Sequence, residues 1–345
     1  MPAAAPSSLR HPIAEGPPDA AGALGIFGLK RYWARALATR SGRPPPPLDA
    51  QGLRADRVLL AGLRLGLRET LACLMGQAPS FPDFEAWVLA RNGGTLAPER
   101  IQRLNATLSG QGGGFALETI ATEAVLSAAE LAFWDSEGYV VLRQAVTPEA
   151  CQAAIAAIAD HAGLSMQQPA SWQVPDLWVP LAHHPALWAN RLAPRVHTAF
   201  AQLWGRSDLW VDVDVCGVNP PWQPGTAFKG TPLHWDMSLA APLGFGTQGI
   251  LYLNDTPAHQ GAFSCVPGFH RRLQGWLDGL PPGADPRALA PACLPATPIA
   301  GQAGDLVIWH QALPHAAMPN RGRLPRVVQY LNMFPADHPV NADWR

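Results

Sequence analysis

Through the first hundred residues, apolar positions recur every three to four places. After about residue 208 that rhythm gives way to short alternating runs broken by Pro and Gly. The stretch FGLKRYWARALATR (27–40) predicts a helix, which the RPPPP run at 43–47 must end. Residues 54–76 predict one leucine-rich helix, with Arg57, Arg64 and Arg68 as a polar stripe at i, i+7 and i+11. A further helix is expected over 80–94, with Ser80 and Pro82 at its start and Gly93-Gly94 at its stop, and another over 97–108. The segment SGQGGGF (109–115) reads as a hinge, residues 1–25 as mobile, and residues 1–125 together as a partly disordered, then helical, N-terminal extension.

The texture then changes. Ser127 and Glu130 form a capping-box pattern for a helix that Gly138 stops, and YVVLRQAV (139–146) is an alternating, β-branched strand. Thr147-Pro148 caps a further helix to about His161. Downstream, LWVDVDVCGV, TQGILYLND, AFSCVPG, DLVIWH and RVVQYLNMF are strand-like runs separated by turn residues. Such a series predicts a sandwich or barrel rather than alternating β/α units, so residues 126–345 are expected to form a mainly β core with flanking helices.

Charge narrows the partners. The 345 residues carry 25 Lys and Arg against 26 Asp and Glu, which gives neither a nucleic-acid footprint nor a basic tail for an anionic membrane. A small-molecule substrate is the expected partner. No run approaches the roughly 18 apolar residues of a membrane span, and the N-terminus lacks the apolar core of a signal peptide. Five scattered cysteines, an odd total without CxxC, fit a reduced cytoplasmic setting better than a disulfide framework.

The candidate chemistry begins at TPLHWDMS (231–238). In an extended segment residues two apart share a face, so His234 and Asp236 project together and Trp235 points the other way. H-x-D is weak alone, because a metal needs a third ligand from another strand. The segment GDLVIWHQALPHAAMPNRGRLPRVVQYLNMF (304–334) offers His310 and His315, and also Arg326. Two His and one carboxylate on one side of an ion leave positions open, as in non-haem Fe(II) oxygenases. If a 2-oxoglutarate co-substrate chelates such an ion, its distal carboxylate calls for a guanidinium such as Arg326.

Four pieces in order carry a resemblance: LSAAELAFWDSEGYVVLRQAVTPEAC, VNPP followed by TPLHWD, NDTPAHQGAFSCVPGFH, and GDLVIWHQALPHAAMPNRGRLPRVVQYL. Residues 126 to about 336 resemble the phytanoyl-CoA dioxygenase family of Fe(II)/2-oxoglutarate-dependent oxygenases. The resemblance implies a double-stranded β-helix (jelly-roll, cupin-like) core. It also implies Fe(II), 2-oxoglutarate and O2 as cofactors, and hydroxylation of an unactivated C–H bond of an amino acid or biosynthetic intermediate, with release of succinate and CO2. In the family's spacing the distal His stands eleven residues before the Arg. That selects His315 over His310, so the implied metal ligands are His234, Asp236 and His315, and Arg326 holds 2-oxoglutarate. The resemblance further points to Cys216 or Asn219, and Ile250 or Tyr252, as the 2-oxoglutarate lining. Ala317 stands where many members have a small hydroxyl residue. An intact Asp236 also implies oxygenation, since related halogenases have Gly or Ala there.

Lys229, Trp235 and Arg271 flank the motifs and are candidate substrate contacts. His270 is expected to be structural, and His183 and His184 lie in a loop that either covers the site or is simply solvated. Trp172, Trp178, Trp188, Trp204 and Trp210 are either pocket walls or core. Two other readings stand beside the small-molecule hydroxylase. One is the same chemistry on a carrier-protein-bound substrate, docked through residues 54–108, a region that also offers a homodimer surface; the other is a non-catalytic binding protein on the same barrel.

Overall fold

The computed structural model describes residues 20–345 except 46, 112–122, 173, 175, 224 and 229. Most of the expected hinge and the candidate Lys229 lie outside the described residues. The rest fall into two compact units, one within residues 20–48 and 55–111, the other made of 49–54 and 123–345.

The first unit is helical: α1 (Leu29–Arg40), α2 (Ala50–Gly62) from Ala55 on, α3 (Leu67–Ala72), α4 (Phe81–Arg91) and α5 (Pro98–Leu108). Ser80 caps α4 as expected, accepting from the Asp83 N–H, with Pro at the helix start. The single helix expected over 54–76 is instead two, followed by a π-helical turn at Cys73–Gln77. The break is tertiary in origin. Gly62 lies so close to Leu104 that a β-carbon there would clash, and Arg64 takes a left-handed φ of 54°. The carbonyls freed at the break are taken up from other helices, Gly62 O by Arg100 Nε at 2.7 Å and Leu63 O by Asn92 Nδ2 at 3.0 Å. The arginine stripe therefore does not run along one helix.

In the second unit, α6 (Ala128–Glu137) starts at the Ser127–Glu130 capping box and ends at left-handed Gly138. It leads into β1 (Tyr139–Leu142), which is shorter than expected because Gln144 turns to a φ of 50° and the Ala145 N–H bonds to Gly304 O. Then come α7 (Pro148–Ala162), β2 (Trp178–Val179), α8 (Pro185–Arg191), α9 (Pro194–Trp204), β3 (Leu209–Val211), β4 (Cys216–Asn219), β5 (Thr247–Tyr252) and β6 (Phe263–Cys265). After these follow α10 (Leu273–Asp278), α11 (Pro286–Cys293), β7 (Thr297–Pro298), β8 (Leu306–His310), β9 (His315–Ala317), β10 (Arg326–Tyr330) and β11 (Met333–Pro335). The run expected as one strand over 209–218 is thus two.

Every named strand pairing is antiparallel. A large sheet has the order β1-β8-β5-β10-β4-β2, a small one β7-β6-β9, and β11 pairs with β3. Alternation along the strands gives the large sheet two apolar faces. On one, Val140, Leu142, Cys216, Val218, Leu251, Leu306, Ile308 and Val327 pack with Ile155 and Ile158 of α7, Leu187 of α8 and Phe200 of α9. On the other, Ile250, Tyr252, Val307, Trp309 and Val328 meet Phe263, Cys265 and Ala316 of the small sheet. Tyr252 ties the two sheets, donating its hydroxyl to Ile299 O at 2.7 Å and accepting from the Phe263 N–H at 2.9 Å.

Candidate metal centre

His315 opens β9, and its backbone forms an isolated antiparallel bridge with His234, the two N–H groups each donating to the other's carbonyl at 2.9 Å. Directly opposed residues in such a pair project side chains to the same side. Hence two histidines 81 positions apart stand ring to ring, with centroids 4.5 Å apart and planes at 49°. Asp236, two residues on, brings its carboxylate to both. Its Oδ1 is 3.5 Å from His234 Nε2 and its Oδ2 is 3.2 Å from His315 Nε2. Among the described residues this is the His/Cys/Asp/Glu grouping able to hold an ion, with all three ligand atoms within 4.8 Å of one another.

Each imidazole is oriented by its own backbone. His234 Nδ1 lies 2.8 Å from Pro232 O, and His315 Nδ1 lies 3.2 Å from Leu313 O. A carbonyl can only accept, so Nδ1 donates in both rings and Nε2 is the nitrogen that each ring turns toward Asp236. Burial alone would lower the His234 pKa, but its hydrogen bond to Asp236, that carboxylate's charge and the Pro232 carbonyl reverse the direction and raise it. Burial acts the other way on Asp236, yet hydrogen bonds from His234, His315 and Gln248 hold it well below the usual carboxylate range. The cluster therefore keeps its carboxylate ionised and ready to ligate a cation.

Arg326 begins β10 on the face toward the small sheet, directly across from Asn219 in β4. It is almost fully buried, and Nη1 donates to Gly261 O at 2.6 Å. Its Nε has no hydrogen-bond partner among the described residues. Among the described residues no carboxylate forms an ion pair with it. A buried guanidinium without a counter-charge is costly, and it is the cradle expected for an anionic ligand.

The alternatives left open by the sequence separate by strand parity. Asn219 shares the Arg326 face, whereas Cys216, three residues away, points into the helical side. There the Cys216 Sγ meets Leu181 O at 3.5 Å and burial pushes the thiol up to about 12, so the structure does not bring Cys216 to the site. Ile250 and Tyr252 both lie on the Arg326 face, but the Tyr252 hydroxyl is already satisfied by backbone. Of the substrate candidates, Trp235 is corrected to core: it is 2% exposed, donates to Ala312 O at 2.9 Å and packs on Phe269 and Trp276. Arg271 is corrected to a surface ion pair with Asp135 at 2.6 Å. His184 caps α8, accepting from the Ala186 N–H, and His310 stacks with His270 away from the triad. Trp178 lies against Tyr330 with centroids 4.9 Å apart, on the site face, while the Trp172 and Trp204 indoles bond to Ser165 O and to Thr247.

Two residues carried no signal in the sequence. Gln248 Nε2 donates to Asp236 Oδ2 at 2.7 Å, and Trp309 Nε1 donates to Gln248 Oε1 at 3.1 Å. The backbone beside Asp236 is held as well, since Arg287 donates to Trp235 O and Met237 O, both at 2.7 Å, and to Arg345 O at 2.8 Å.

The profile of the phytanoyl-CoA dioxygenase (PhyH) family matches residues 134–328, more than half of the chain, from within α6 to within β10. The chain belongs to the phytanoyl-CoA dioxygenase family. A Dictyostelium discoideum protein provisionally named a phytanoyl-CoA dioxygenase is 25% identical, the match covering 42% of this chain and 53% of that protein. The chain thus spans about half the length of the curated relative it matches. Among solved structures, AviO1 from Streptomyces viridochromogenes is similar at a TM-score of 0.45 and 18% identity, covering 64% of this chain and 100% of that one. EctD from S. alaskensis, solved with 2-oxoglutarate and 5-hydroxyectoine, is similar at 0.45 and 19%, covering 63% and 79%.

Iron(II) and 2-oxoglutarate are the groups that the family resemblance implies for this site. The residues fit both. Two inward-facing Nε2 atoms and an ionised carboxylate suit a divalent ion, and the buried guanidinium with its unpartnered Nε suits a carboxylate. No helix among the described residues is long and apolar enough to cross a membrane.

Proposed function

We propose that this family member is an Fe(II)/2-oxoglutarate-dependent dioxygenase that hydroxylates an unactivated C–H bond of a small molecule, on a core closed as a double-stranded β-helix. The observation that carries it is the convergence of His234, Asp236 and His315 within 4.8 Å, on the side of the sheet that also holds the buried Arg326. When bound, iron(II) and 2-oxoglutarate supply the oxidative chemistry, in which O2 is consumed, 2-oxoglutarate is split to succinate and CO2, and oxygen enters the substrate. The protein's part is positioning. His234, Asp236 and His315 would hold the ion through one atom each, and the ion would supply the site at which co-substrate and O2 react. Arg326 would hold the distal carboxylate, with Asn219, Ile250 and Tyr252 as neighbouring wall. The buried apolar residues Phe263, Trp309 and Val328 keep water from the ligands' inner side.

Anaerobic titration of Fe(II) and 2-oxoglutarate into the metal-free protein tests the reading. The expected result is a weak visible charge-transfer band that His315→Ala abolishes. A band that survives His315→Ala sinks the ligand assignment. A succinate-release screen over amino acids and small biosynthetic acids then addresses the substrate.

One observation favours a carrier-presented substrate as the second reading. Leu67, Leu71 and Met75, about a turn apart, are exposed apolar side chains at 55%, 38% and 37%. Loss of turnover in Leu67→Glu/Leu71→Glu with a carrier-bound substrate, but not with the free one, separates the two.

A further inference from the structure

Asp236 is the least sheltered of the three ligands. Its side chain is 52% exposed, against 28% for His234 and 8% for His315. It also stands outside any named strand and outside the His234–His315 bridge, so the pairing that fixes the two histidines does not fix its carboxylate. What holds it is a two-link chain of hydrogen bonds. Gln248 lies on β5, on the same face as Ile250 and Tyr252, and is the direct cross-strand partner of Trp309 on β8. The Trp309 indole N–H donates to Gln248 Oε1 at 3.1 Å, and Gln248 Nε2 donates to Asp236 Oδ2 at 2.7 Å.

The chemistry of the two ends leaves one arrangement. An indole N–H only donates and a carboxylate only accepts, so the amide between them must present its oxygen to Trp309 and its NH2 to Asp236. Glutamate in its place would set a second negative charge against Asp236, and asparagine is a methylene too short. Leucine fills the volume with neither polar end. The Trp309 ring itself is braced, with its centroid 4.3 Å from Phe263 and 5.2 Å from His315, so the donor at the head of the chain is fixed by packing.

We propose that Gln248, oriented by Trp309, is the positioning residue for the iron-binding carboxylate, occupying Oδ2 so that Asp236 ligates through Oδ1. This rests on the metal-centre reading above. Residues that orient a metal ligand without touching the ion typically change affinity by about ten- to a hundredfold when removed.

The test is anaerobic equilibrium binding of Fe(II) to the metal-free full chain, with the Co(II) ligand-field spectrum as a second readout. Gln248→Leu is expected to weaken Fe(II) binding by about tenfold or more and to alter the Co(II) spectrum. Trp309→Phe, which keeps a ring beside His315, is expected to weaken it by a smaller factor. Because Trp309 acts through Gln248, the double variant should bind no more weakly than Gln248→Leu alone. Losses that multiply in the double variant overturn the relay. If Gln248→Leu binds within twofold of wild type while His315→Ala abolishes binding, the inference fails and the metal centre stands. If His315→Ala binds as wild type does, the metal centre itself fails. Should Gln248→Leu not fold, Gln248→Asn keeps the amide but shortens its reach. It is expected to weaken binding in the same direction, and wild-type affinity in that variant overturns the proposal.

Discussion

Acid is expected to destabilise the second unit beyond what its carboxylates require, because of His310. This residue ends β8 with its ring among Trp134, Phe245 and His270, whose centroids lie 6.3, 5.2 and 5.2 Å away. Its Nδ1 accepts from the Ala312 N–H at 3.0 Å, a bond that requires that nitrogen to be unprotonated. Burial, with a smaller contribution from His270, lowers its pKa from the ordinary 6.5 to about 4. The unfolded chain takes up this proton near pH 6.5 and the folded one only near pH 4. Between those values the unfolded state binds more protons, so stability falls as pH falls and the full contribution is present only above about pH 6.5. One proton is worth about 1.4 kcal/mol per pH unit, which over this interval gives at most about 3 kcal/mol. His310→Asn places an uncharged acceptor where it can meet the Ala312 N–H, and it does not titrate. Urea unfolding of the metal-free protein between pH 7.5 and 4, with chelator present, gives the comparison. The variant should close on, or overtake, the wild type by about 2–3 kcal/mol as pH drops. Parallel stability curves across that range refute the reasoning.

Two further outcomes follow from the site. Arg326→Met removes the buried guanidinium, and loss of charge-assisted hydrogen bonds of about 1.5–3 kcal/mol should raise the 2-oxoglutarate KM by about ten- to a hundredfold. Fe(II) affinity measured without 2-oxoglutarate should be unchanged, and a parallel loss of both assigns Arg326 a merely structural part. Arg287→Ala strips donors from the carbonyls of Trp235, Met237 and Arg345 and uncovers the Trp344 ring, 5.1 Å from the guanidinium. It should lower unfolding stability by about 2 kcal/mol and weaken Fe(II) binding. Arg287→Lys should not restore either, since one ammonium cannot reproduce the planar fork. Stability equal to wild type in urea refutes that account.

What the sequence disclosed was local. Ser127 with Glu130, Thr147 before Pro148, and Ser80 before Pro82 are caps whose partners lie within three residues, and each is realised as a side-chain bond to the first turn. The break at Gly62–Arg64 was not legible, because its cause, the approach of Leu104 and the donors from Asn92 and Arg100, comes from two other helices. Trp235 illustrates the same limit in the site. Period-two alternation correctly turned it away from His234 and Asp236, yet alternation says nothing of what waits on the far side. There Phe269, Trp276 and Ala312 make it core.

Strand parity explains both what was missed and why. With Arg326 as anchor, the register of β10 on β4 and β5 puts Asn219, Gly217 and Tyr252 opposite Arg326 and Val328, and Ile250 opposite Tyr330. Two residues back from Ile250 on the same face is Gln248, and the β5–β8 register sets Trp309 across from it. The same count excludes Cys216, which is opposite Gln329 on the helical side. Each of these assignments needs one fact that the linear sequence lacks, namely which residue of one strand faces which of another. A shift of one place would exchange the two sides, trading Gln248 for Gly249 and Asn219 for Val218. The candidate metal ligands show the same dependence, because His234 and His315 are paired through an isolated backbone bridge. The H-x-D pair was readable from two-residue spacing within one segment, and His315 and Arg326 from the eleven-residue spacing of the family they resemble. The Gln248–Trp309 chain belongs to cross-strand register and carried no such signal. A substitution that slipped β5 on β8 by one residue would leave every ligand in the chain and still uncouple Asp236 from its support.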